Sequence, residues 1–488
     1  MGGGCRRERS SEVLTVGIDG SLATLDPHLH NDAVTWSVLS NLYDALVVFT
    51  SDMRLTGGLA ESWRQEGSLV WRFQLRSEAA FSDGSPVTAA DVVASFERAR
   101  THPLSRVNYH LLGIESMRHD EGHGVLVTTT DPLPTLPNRL TALFIVPERH
   151  AGSDEITCPV GSGPYRYLGG DKGGSSVALE GWQSWRGMPA IRRVRFELND
   201  SPQELFQRFL AKDLDVIRQV PDSDLLELRG QIGVTLVQHP RLAVQMVSVN
   251  PDAAAGEAAR ALADVRVRRA MLLATDRERW VRQVYRGQAS PASQYVHPVV
   301  FGFDPRVAMV PFNPGAARSL MAEAGFADGF SVVLDHAAVG SEVVAALTDD
   351  WAQIGISVQP RLLPWTEFTE RVRGRRSALT YFGWGCATGD ASDFLIACVH
   401  TPDEQRGLGA DNFSGYSDPV TDALIAESER ELDPQERLEL LHRAQGRVLD
   451  FLPVLPLTVR WSHLGASTRV EVVTRHDQWL WVFDYRWR

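Results

Sequence analysis

Residues 381–395, YFGWGCATGDASDFL, bring together side chains whose types and spacing could do chemistry. The stretch holds one thiol, Cys386, and two carboxylates, Asp390 and Asp393, among three glycines. Such a set could act as a nucleophile with acids, or it could hold a ligand without changing it. A catalytic cysteine needs a cation or base that lowers its pKa, and no basic residue stands near Cys386 in sequence. The residue types therefore favour a binding wall or a structural loop, and we expect no enzymatic activity.

No other motif in the sequence gives strong support for catalysis or metal binding. The sequence contains no GxSxG, no GxxxxGK[ST] and no HExxH. His28 and His30 stand two residues apart, with Asp26 and Asp32 nearby, and this spacing can chelate a metal from a strand. Without a further ligand the pattern is weak, so we expect no metal and no cofactor.

The four cysteines, Cys5, Cys158, Cys386 and Cys398, form no CxxC pair. A zinc site or thioredoxin-like site therefore has no support. Cys386 and Cys398 could form a disulfide in an oxidising compartment or remain separate thiols, and the sequence leaves both possibilities open.

The composition is that of a soluble globular protein with a sizeable core. Of 488 residues, 43% are hydrophobic and 23% are charged. The net charge of −12 argues against nucleic acid as a partner. No apolar run approaches the length of a membrane span.

The first residues, MGGGCRRERSSEV, resemble the end of a bacterial lipoprotein signal followed by a polar tether. No apolar h-region precedes them in the sequence as written. We therefore expect that the reading frame begins upstream and that Cys5 is the lipidated first residue of the mature protein. The alternative is a cytoplasmic protein with an irregular start.

Short strands alternate with capped helices along the chain, which indicates an α/β or α+β protein. The hydrophobic pattern predicts strands over 12–18, 69–76, 124–130 and 191–198. Helix N-termini are predicted at four capping residues, each with an acid or proline in the following turn. These capping residues are Thr88, Ser201, Asn313 and Asp433.

The last residues, QWLWVFDYRWR, place aromatic side chains at alternate positions. A period of two puts them on one face of a strand, so we expect a final strand that packs on a core. An aromatic platform for sugars is the alternative. The alternating positions are Trp479, Trp481, Phe483, Tyr485 and Trp487.

Several ordered motifs then give a resemblance that covers about residues 12–460. They include TLDPHLHNDAVTWSVLSNLYDALV, FSDGSPVTAADVVASFERA, GSGPYRY, DVRVRRAMLLATDRERWVRQVYRG and YSDPVTDALIAESERELDPQERLELLHRAQ. In this order they resemble the family 5 extracellular solute-binding proteins, the peptide- and nickel-binding receptors of ABC importers.

The resemblance implies a two-lobe, periplasmic-binding-protein-like clamp of α/β (α+β) class, with mixed sheets and a hinge. Residues 1–11 would form a tether, and residues 12–250 the first lobe with an inserted subdomain. Residues 251–470 would form the second lobe, and residues 471–488 would return to the first.

The function implied by the resemblance is that of a receptor without a cofactor. A periplasmic or extracytoplasmic monomer, anchored at the membrane if Cys5 is lipidated, would capture peptides in the interlobe cleft and deliver them to an ABC permease. A non-peptide solute, such as an oligosaccharide or opine, is the first alternative. A hydrolase using Cys386 is another, as is a transcription factor that borrows the fold.

The resemblance also implies which residues contact the ligand. From the first lobe they are Ser21, Leu22 and Arg106, and from the second Gly383, Trp384, Cys386, Ala387, Thr388 and Asp390. Peptide receptors carry an acid, which grips the peptide ammonium group, three residues after the loop tryptophan. Here that position is Ala387. Either Asp390 or Asp393 replaces this acid, or the ligand has no free amine.

Overall fold

The computed structural model describes residues 12–120, 122–171 and 174–488. Cys5 and the expected tether at 1–11 lie outside these residues. The described chain divides into two compact units. Unit 1 comprises residues 12–239 and 462–488, and unit 2 comprises residues 240–461.

The strands, in chain order, are β1 (Val13–Asp19), β2 (Val47–Phe49), β3 (Leu55–Gly57), β4 (Ala60–Gln65), β5 (Val70–Leu75), β6 (Ile114–Asp120), β7 (Gly124–Thr129), β8 (Tyr165–Gly170), β9 (Ser176–Gly181), β10 (Arg193–Asn199), β11 (Val216–Ile217), β12 (Val234–Val249), β13 (Ala289–Pro291), β14 (Phe330–His336), β15 (Ile356–Leu362), β16 (Leu379–Trp384), β17 (Val454–Ser467), β18 (Val470–Glu471) and β19 (Arg486–Trp487). The four strands predicted from hydrophobic pattern are confirmed as β1, β5, β7 and β10.

The α-helices are α1 (Ala33–Leu39), α2 (Ala89–Thr101), α3 (Leu136–Leu140), α4 (Pro202–Leu210), α5 (Leu225–Arg229), α6 (Gly256–Ala263), α7 (Val265–Leu273), α8 (Arg277–Gln283), α9 (Pro314–Glu323), α10 (Ser341–Ala352), α11 (Trp365–Arg373), α12 (Ser392–Phe394), α13 (Pro419–Ser428) and α14 (Pro434–Phe451). A π-helical turn, Leu395–Val399, continues from α12.

The predicted helix N-termini are confirmed, because a side-chain cap satisfies backbone N–H groups that have no partner within the helix. Thr88 and Asp91 form a reciprocal capping box at α2. Ser201 accepts from the Glu204 N–H at the start of α4. Asn313 and Asp433 cap α9 and α14 in the same way.

Unit 1 contains a mixed sheet in the order β17-β11-β1-β10-β9-β8, in which β1 runs parallel to β10 and β11. A separate four-stranded sheet, β4-β5-β7-β6, also belongs to this unit. Phe73 and Val125 of this sheet and Phe96 of α2 belong to the same buried cluster as Val16 of β1.

Unit 2 contains the order β15-β14-β16-β12-β17, with β13 beside β17. Strand β14 runs parallel to both β15 and β16. The connections between these parallel strands contain α10 and α11, so the segment is built from βα units. Trp351 of α10 and Leu334 of β14 are fully buried in its core.

The chain passes between the units inside β12 and inside β17, at 239–240 and 461–462. The sequence-based boundaries at 250 and 470 fall just beyond the ends of these two strands. Pro240 stands at the first crossing, whereas the second, at 461–462, has neither glycine nor proline, so the local sequence marks only one of the two.

The predicted C-terminal strand is wrong, except for its last two residues. Val482–Asp484 is a 3₁₀ turn, and only Arg486–Trp487 pairs in a strand, with β18. The Asn41 side chain donates to the Leu480 carbonyl at 2.9 Å and accepts from the Val482 N–H at 3.0 Å. These tertiary bonds replace the strand ladder that period-two alternation predicted.

The C-terminal aromatic rings consequently have different partners within unit 1. Trp479 stacks on Trp36 at 4.9 Å between ring centroids. The guanidinium carbons of Arg186 and Arg475 lie 4.7 and 5.0 Å from the ring centroid of Trp481. The segment is therefore fastened by stacking and cation–π contacts in several directions.

Candidate functional site

Residues 381–395, which contain the thiol and the two carboxylates, begin in a strand of unit 2. Strand β16 pairs with β12 along its whole length. With β14 it shares only two parallel pairs, at Leu379 and Thr380, because β14 ends at His336. Among the described residues, 381–384 therefore have no strand partner on the β14 side. This leaves a strand edge that can hydrogen-bond to another extended backbone.

Tyr381 and Phe382 of this edge are buried, but the end of the edge and the loop after it contain small residues that are open to solvent. Gly383, Gly385 and Ala387 are exposed, while Trp384 and Thr388 are half-buried. Glycine lets another backbone approach closely because it has no Cβ.

Asp393 closes the loop by bonding two of its residues. One carboxylate oxygen accepts from the Trp384 indole N–H at 3.1 Å. The other accepts from the Thr388 hydroxyl at 3.1 Å and lies 3.4 Å from the Thr388 backbone nitrogen. Burial raises the pKa of Asp393 above its usual value, and the bonds from Trp384 and Thr388 oppose that shift. The position of the indole is thus set by a carboxylate nine residues along the chain.

Asp390 forms a buried ion pair. Its carboxylate oxygens lie 2.6 and 2.9 Å from the two terminal nitrogens of Arg437, and one also accepts from the Ser392 N–H at 2.9 Å. Asp390 is 2% exposed and Arg437 is 4% exposed. Burial lowers the pKa of Arg437, but the charges and hydrogen bonds of Asp390 and Glu429 together outweigh this effect and leave the pKa above its usual value. The sequence offered no partner for Asp390, since Arg437 lies 47 positions away.

Cys386 and Cys398 are free thiols, and both are buried. Burial raises the pKa of each thiol well above its usual value, and neighbouring carboxylates add to the shift. A thiol in this state carries very little thiolate at neutral pH, so Cys386 lacks the activation that nucleophilic catalysis needs.

The acids and histidines near position 28 form a buried network in unit 1. Asp26 makes a bidentate pair with Arg98 at 3.0 and 2.6 Å. The Nδ1 of His28 lies 3.0 Å from Arg98, and its Nε2 lies 2.8 Å from the Phe144 carbonyl. His30 packs instead against an aromatic ring, edge-on to Trp36. No set of three or more potential metal ligands comes together in the part of the chain that the structure describes.

Ser21 and Leu22 lie beyond the carboxyl end of β1 in unit 1. Ser21 is exposed, and Leu22 packs partly against the unit 1 core. Strand β1 is flanked by parallel strands on both sides. Ligands of open α/β sheets bind outside the carboxyl ends of such strands, so the position of both residues suits ligand contact.

Arg106 is exposed on the segment between α2 and β6. Its backbone N–H donates to the His28 carbonyl at 2.9 Å, which fixes the backbone. Its guanidinium has no hydrogen bond or ion pair with any described residue.

Trp365 is a candidate site residue that the sequence reasoning missed. It begins α11, three residues after the end of β15, and is 69% exposed; Leu362, the last residue of β15, is 58% exposed. Strands β15 and β16 flank β14 and are parallel to it, so Trp365, shortly after β15, and Trp384, the last residue of β16, lie where strands end on the same side of the sheet. Two strand spacings separate β15 from β16 by roughly 10 Å. The available signal was a tryptophan directly after a strand in a βα unit.

These features agree with a family comparison that spans most of the chain. The model of the bacterial extracellular solute-binding proteins, family 5 Middle, matches residues 54–405. The chain belongs to this family. The resemblance drawn from the sequence motifs is therefore confirmed.

Curated relatives of this family 5 protein cover nearly its whole length. The glutathione-binding protein GsiB of Salmonella typhi is 24% identical, over 92% of this chain and 89% of that protein. The dipeptide-binding protein of Escherichia coli K12 is 23% identical, over 91% of this chain and 89% of its own.

Solved structures confirm the fold of the family 5 protein. The unliganded open form of the periplasmic murein tripeptide binding protein MppA matches with a TM-score of 0.85 at 20% identity, covering 98% of each chain. The expected periplasmic-binding-protein-like α/β fold with mixed sheets is thus confirmed.

The family also bears on activity and location. Its members are binding proteins that act outside the cytoplasm, which agrees with a receptor rather than a catalyst. Within the described residues, no helix combines the length and apolar character that a membrane crossing requires.

Proposed function

We propose that this family 5 protein is an extracytoplasmic receptor that captures peptides and delivers them to an ABC importer. The observation that carries the proposal is the strand edge at residues 381–384, where β16 runs beyond β14. An extended peptide can pair its backbone with such an edge, and this mode of binding is largely independent of peptide sequence.

The residues along this edge suit backbone pairing. Gly383 and Gly385 present no side chain, so a ligand backbone can approach the strand closely. Trp384 and Trp365 would form apolar walls for ligand side chains on the two sides of the edge. Cys386, Ala387 and Thr388 would complete the contact segment, while Asp390 would support it through Arg437.

Ser21, Leu22 and Arg106 of unit 1 are proposed as further ligand contacts, as the family resemblance implies. Ser21 offers a hydroxyl, and Leu22 offers an apolar surface next to the core. The guanidinium of Arg106 would suit an anionic or carbonyl group of the ligand.

We also propose that the protein has no enzymatic activity and acts as a monomer beside a membrane permease. Burial of Cys386 and its raised pKa support the first point. Lipidation of Cys5 would keep the receptor at the membrane surface, and labelling with a radioactive fatty acid would detect it.

Peptide capture is expected to raise the melting temperature by mass action. A peptide pool at 100 times its Kd would add about 2.7 kcal/mol to the free energy of unfolding. Differential scanning fluorimetry with a randomised tripeptide pool tests this expectation. If the pool gives no shift and an oligosaccharide or opine does, a non-peptide receptor replaces the proposal.

A non-peptide solute is the second candidate, and it is favoured by Ala387. This exposed position is neutral, whereas the resemblance to peptide receptors implies an acid there. Two indoles at one sheet edge could also stack on a sugar face.

Trp365→Ala is expected to weaken peptide binding about tenfold, because large buried aromatic contacts dominate binding energy. The ligand-free melting temperature should change little, since Trp365 is 69% exposed. Isothermal titration measures the affinity. Leu226→Ala is the matched control, because Leu226 is 67% exposed on α5 of unit 1 and belongs to no proposed contact. Equal affinities in all three proteins would remove Trp365 from the site.

A further inference from the structure

Both carboxylates of the loop already have partners inside unit 2. Asp390 bonds Arg437 through both oxygens and also bonds the Ser392 backbone. Asp393 bonds the Trp384 indole and the Thr388 hydroxyl, one through each oxygen. Neither group is an open anion at the loop surface.

Recruiting Asp390 to a ligand would disturb a buried pair. Its partner Arg437 is 4% exposed, and without Asp390 that guanidinium would keep Glu429 at 3.3 Å and the Ser428 carbonyl at 2.9 Å but would lose its bidentate carboxylate. Leaving a buried charge poorly paired costs more than a new contact to a mobile ligand returns.

Recruiting Asp393 would release the tryptophan. The carboxylate fixes the indole N–H of Trp384 and ties it to Thr388, four residues later. Asp393 is therefore a positioning residue for the Trp384 side chain, and a ligand amine would compete with the bonds that hold the loop closed.

The loop surface itself is uncharged. Its exposed residues are Gly383, Gly385 and Ala387, which offer backbone groups and one methyl group. An ammonium group that loses its hydration needs a fixed carboxylate or several acceptors in place of water. Backbone groups and a methyl favour a neutral group at this place.

Building on the proposed peptide function, we propose that the solute presents an uncharged group to residues 383–388. The preferred class is a peptide whose N-terminus is acylated or otherwise blocked. Its backbone pairs with the β16 edge, and its blocked end lies against Ala387.

A pair of matched peptide pools tests the inference. A randomised tripeptide pool and the same pool after complete N-acetylation are compared by melting temperature and by titration. We expect the acetylated pool to bind at least as tightly as the free pool. Tighter binding of the free pool, by tenfold or more, would overturn the inference and leave the peptide function standing. Failure of both pools to bind would overturn the peptide function and the inference with it.

A gain-of-charge variant gives a second test at the exposed position. Ala387→Asp places a carboxylate where the loop has a methyl, and it should raise affinity for the free pool about tenfold relative to the acetylated pool. Ala387→Asn is the matched control with similar size and no charge, and it should leave the ratio unchanged. An unchanged ratio in Ala387→Asp would show that the ligand terminus does not lie at this loop, and would overturn the inference.

Discussion

Replacing Arg437 with methionine is expected to reduce the free energy of unfolding by about 3–5 kcal/mol, because it leaves the Asp390 carboxylate buried without its cation. Asp390 is 2% exposed, and the pair is bidentate at 2.6 and 2.9 Å. The Ser392 N–H at 2.9 Å remains, but one such donor does not replace a guanidinium. Urea denaturation followed by circular dichroism measures the change.

An exposed arginine supplies the control for this first prediction. Arg260 on α6 lies 3.7 Å from Glu257, and its side chain is 74% exposed. Arg260→Met is therefore expected to move the urea midpoint little, since exposed ion pairs contribute little to stability. If Arg437→Met loses no more stability than Arg260→Met, the buried pair does not support the loop.

The double variant Asp390→Leu/Arg437→Met tests whether an unpaired buried charge causes the loss of stability. Removing both charges leaves no uncompensated ion, so the double variant should be more stable than Arg437→Met alone. A double variant that is less stable than Arg437→Met would mean that packing, rather than charge, explains the loss.

Acidification is expected to destabilise the protein between about pH 6.5 and pH 4 through buried neutral histidines. Burial lowers the pKa of His28 and of His30 to about 4, and both side chains are at most 2% exposed. The unfolded chain takes up a proton at each ring near pH 6.5, while the folded protein does so only near pH 4. Stability therefore falls as pH falls through this window, by about 3 kcal/mol for each histidine at its lower end.

The geometry around His28 explains why it stays neutral. Its Nε2–H donates to the Phe144 carbonyl at 2.8 Å. Nδ1 is then the acceptor for the Arg98 guanidinium at 3.0 Å. A second proton on Nδ1 would face this cation, so the environment favours the neutral ring.

His30→Phe tests the acid effect because phenylalanine preserves the edge-on packing against Trp36. Urea midpoints of parent and variant are compared at pH 7 and pH 5, where the carboxylates contribute little. The variant should lose less stability on acidification than the parent. His119→Gln changes an exposed histidine and serves as the control. Parallel losses in all three proteins would contradict the assignment.

Local interactions explain the parts of the fold that could be predicted. Thr88 with Asp91, and Asp433 with the first turn of α14, act within three residues of sequence and form the expected caps. The strand at 70–75 has the expected apolar alternation. The alternating aromatics at the C-terminus failed as a strand signal, because the bonds of Asn41 to Leu480 and Val482 compete with a ladder.

The candidate site was likewise only partly predictable from the sequence. The sequence showed that the loop has a neutral residue at Ala387 and that two acids follow it. It could not show which groups bond these acids, since Arg437 pairs with Asp390 from a distant helix. Trp365 was missed because its position at the same end of the sheet as Trp384 depends on strand order.

The sequence by itself determined the family, the α/β composition, the helix caps and the residue types of the loop, because these depend on ordered motifs and on contacts between near neighbours. Only the tertiary structure decided which carboxylates are available to a ligand. Asp390 is bound to Arg437, Asp393 is bound to Trp384, and the edge of β16 is left open where β14 ends. Charge pairing and strand order depend on residues that are distant in sequence. Because of them, the loop presents a neutral strand edge to a ligand and not a set of acids.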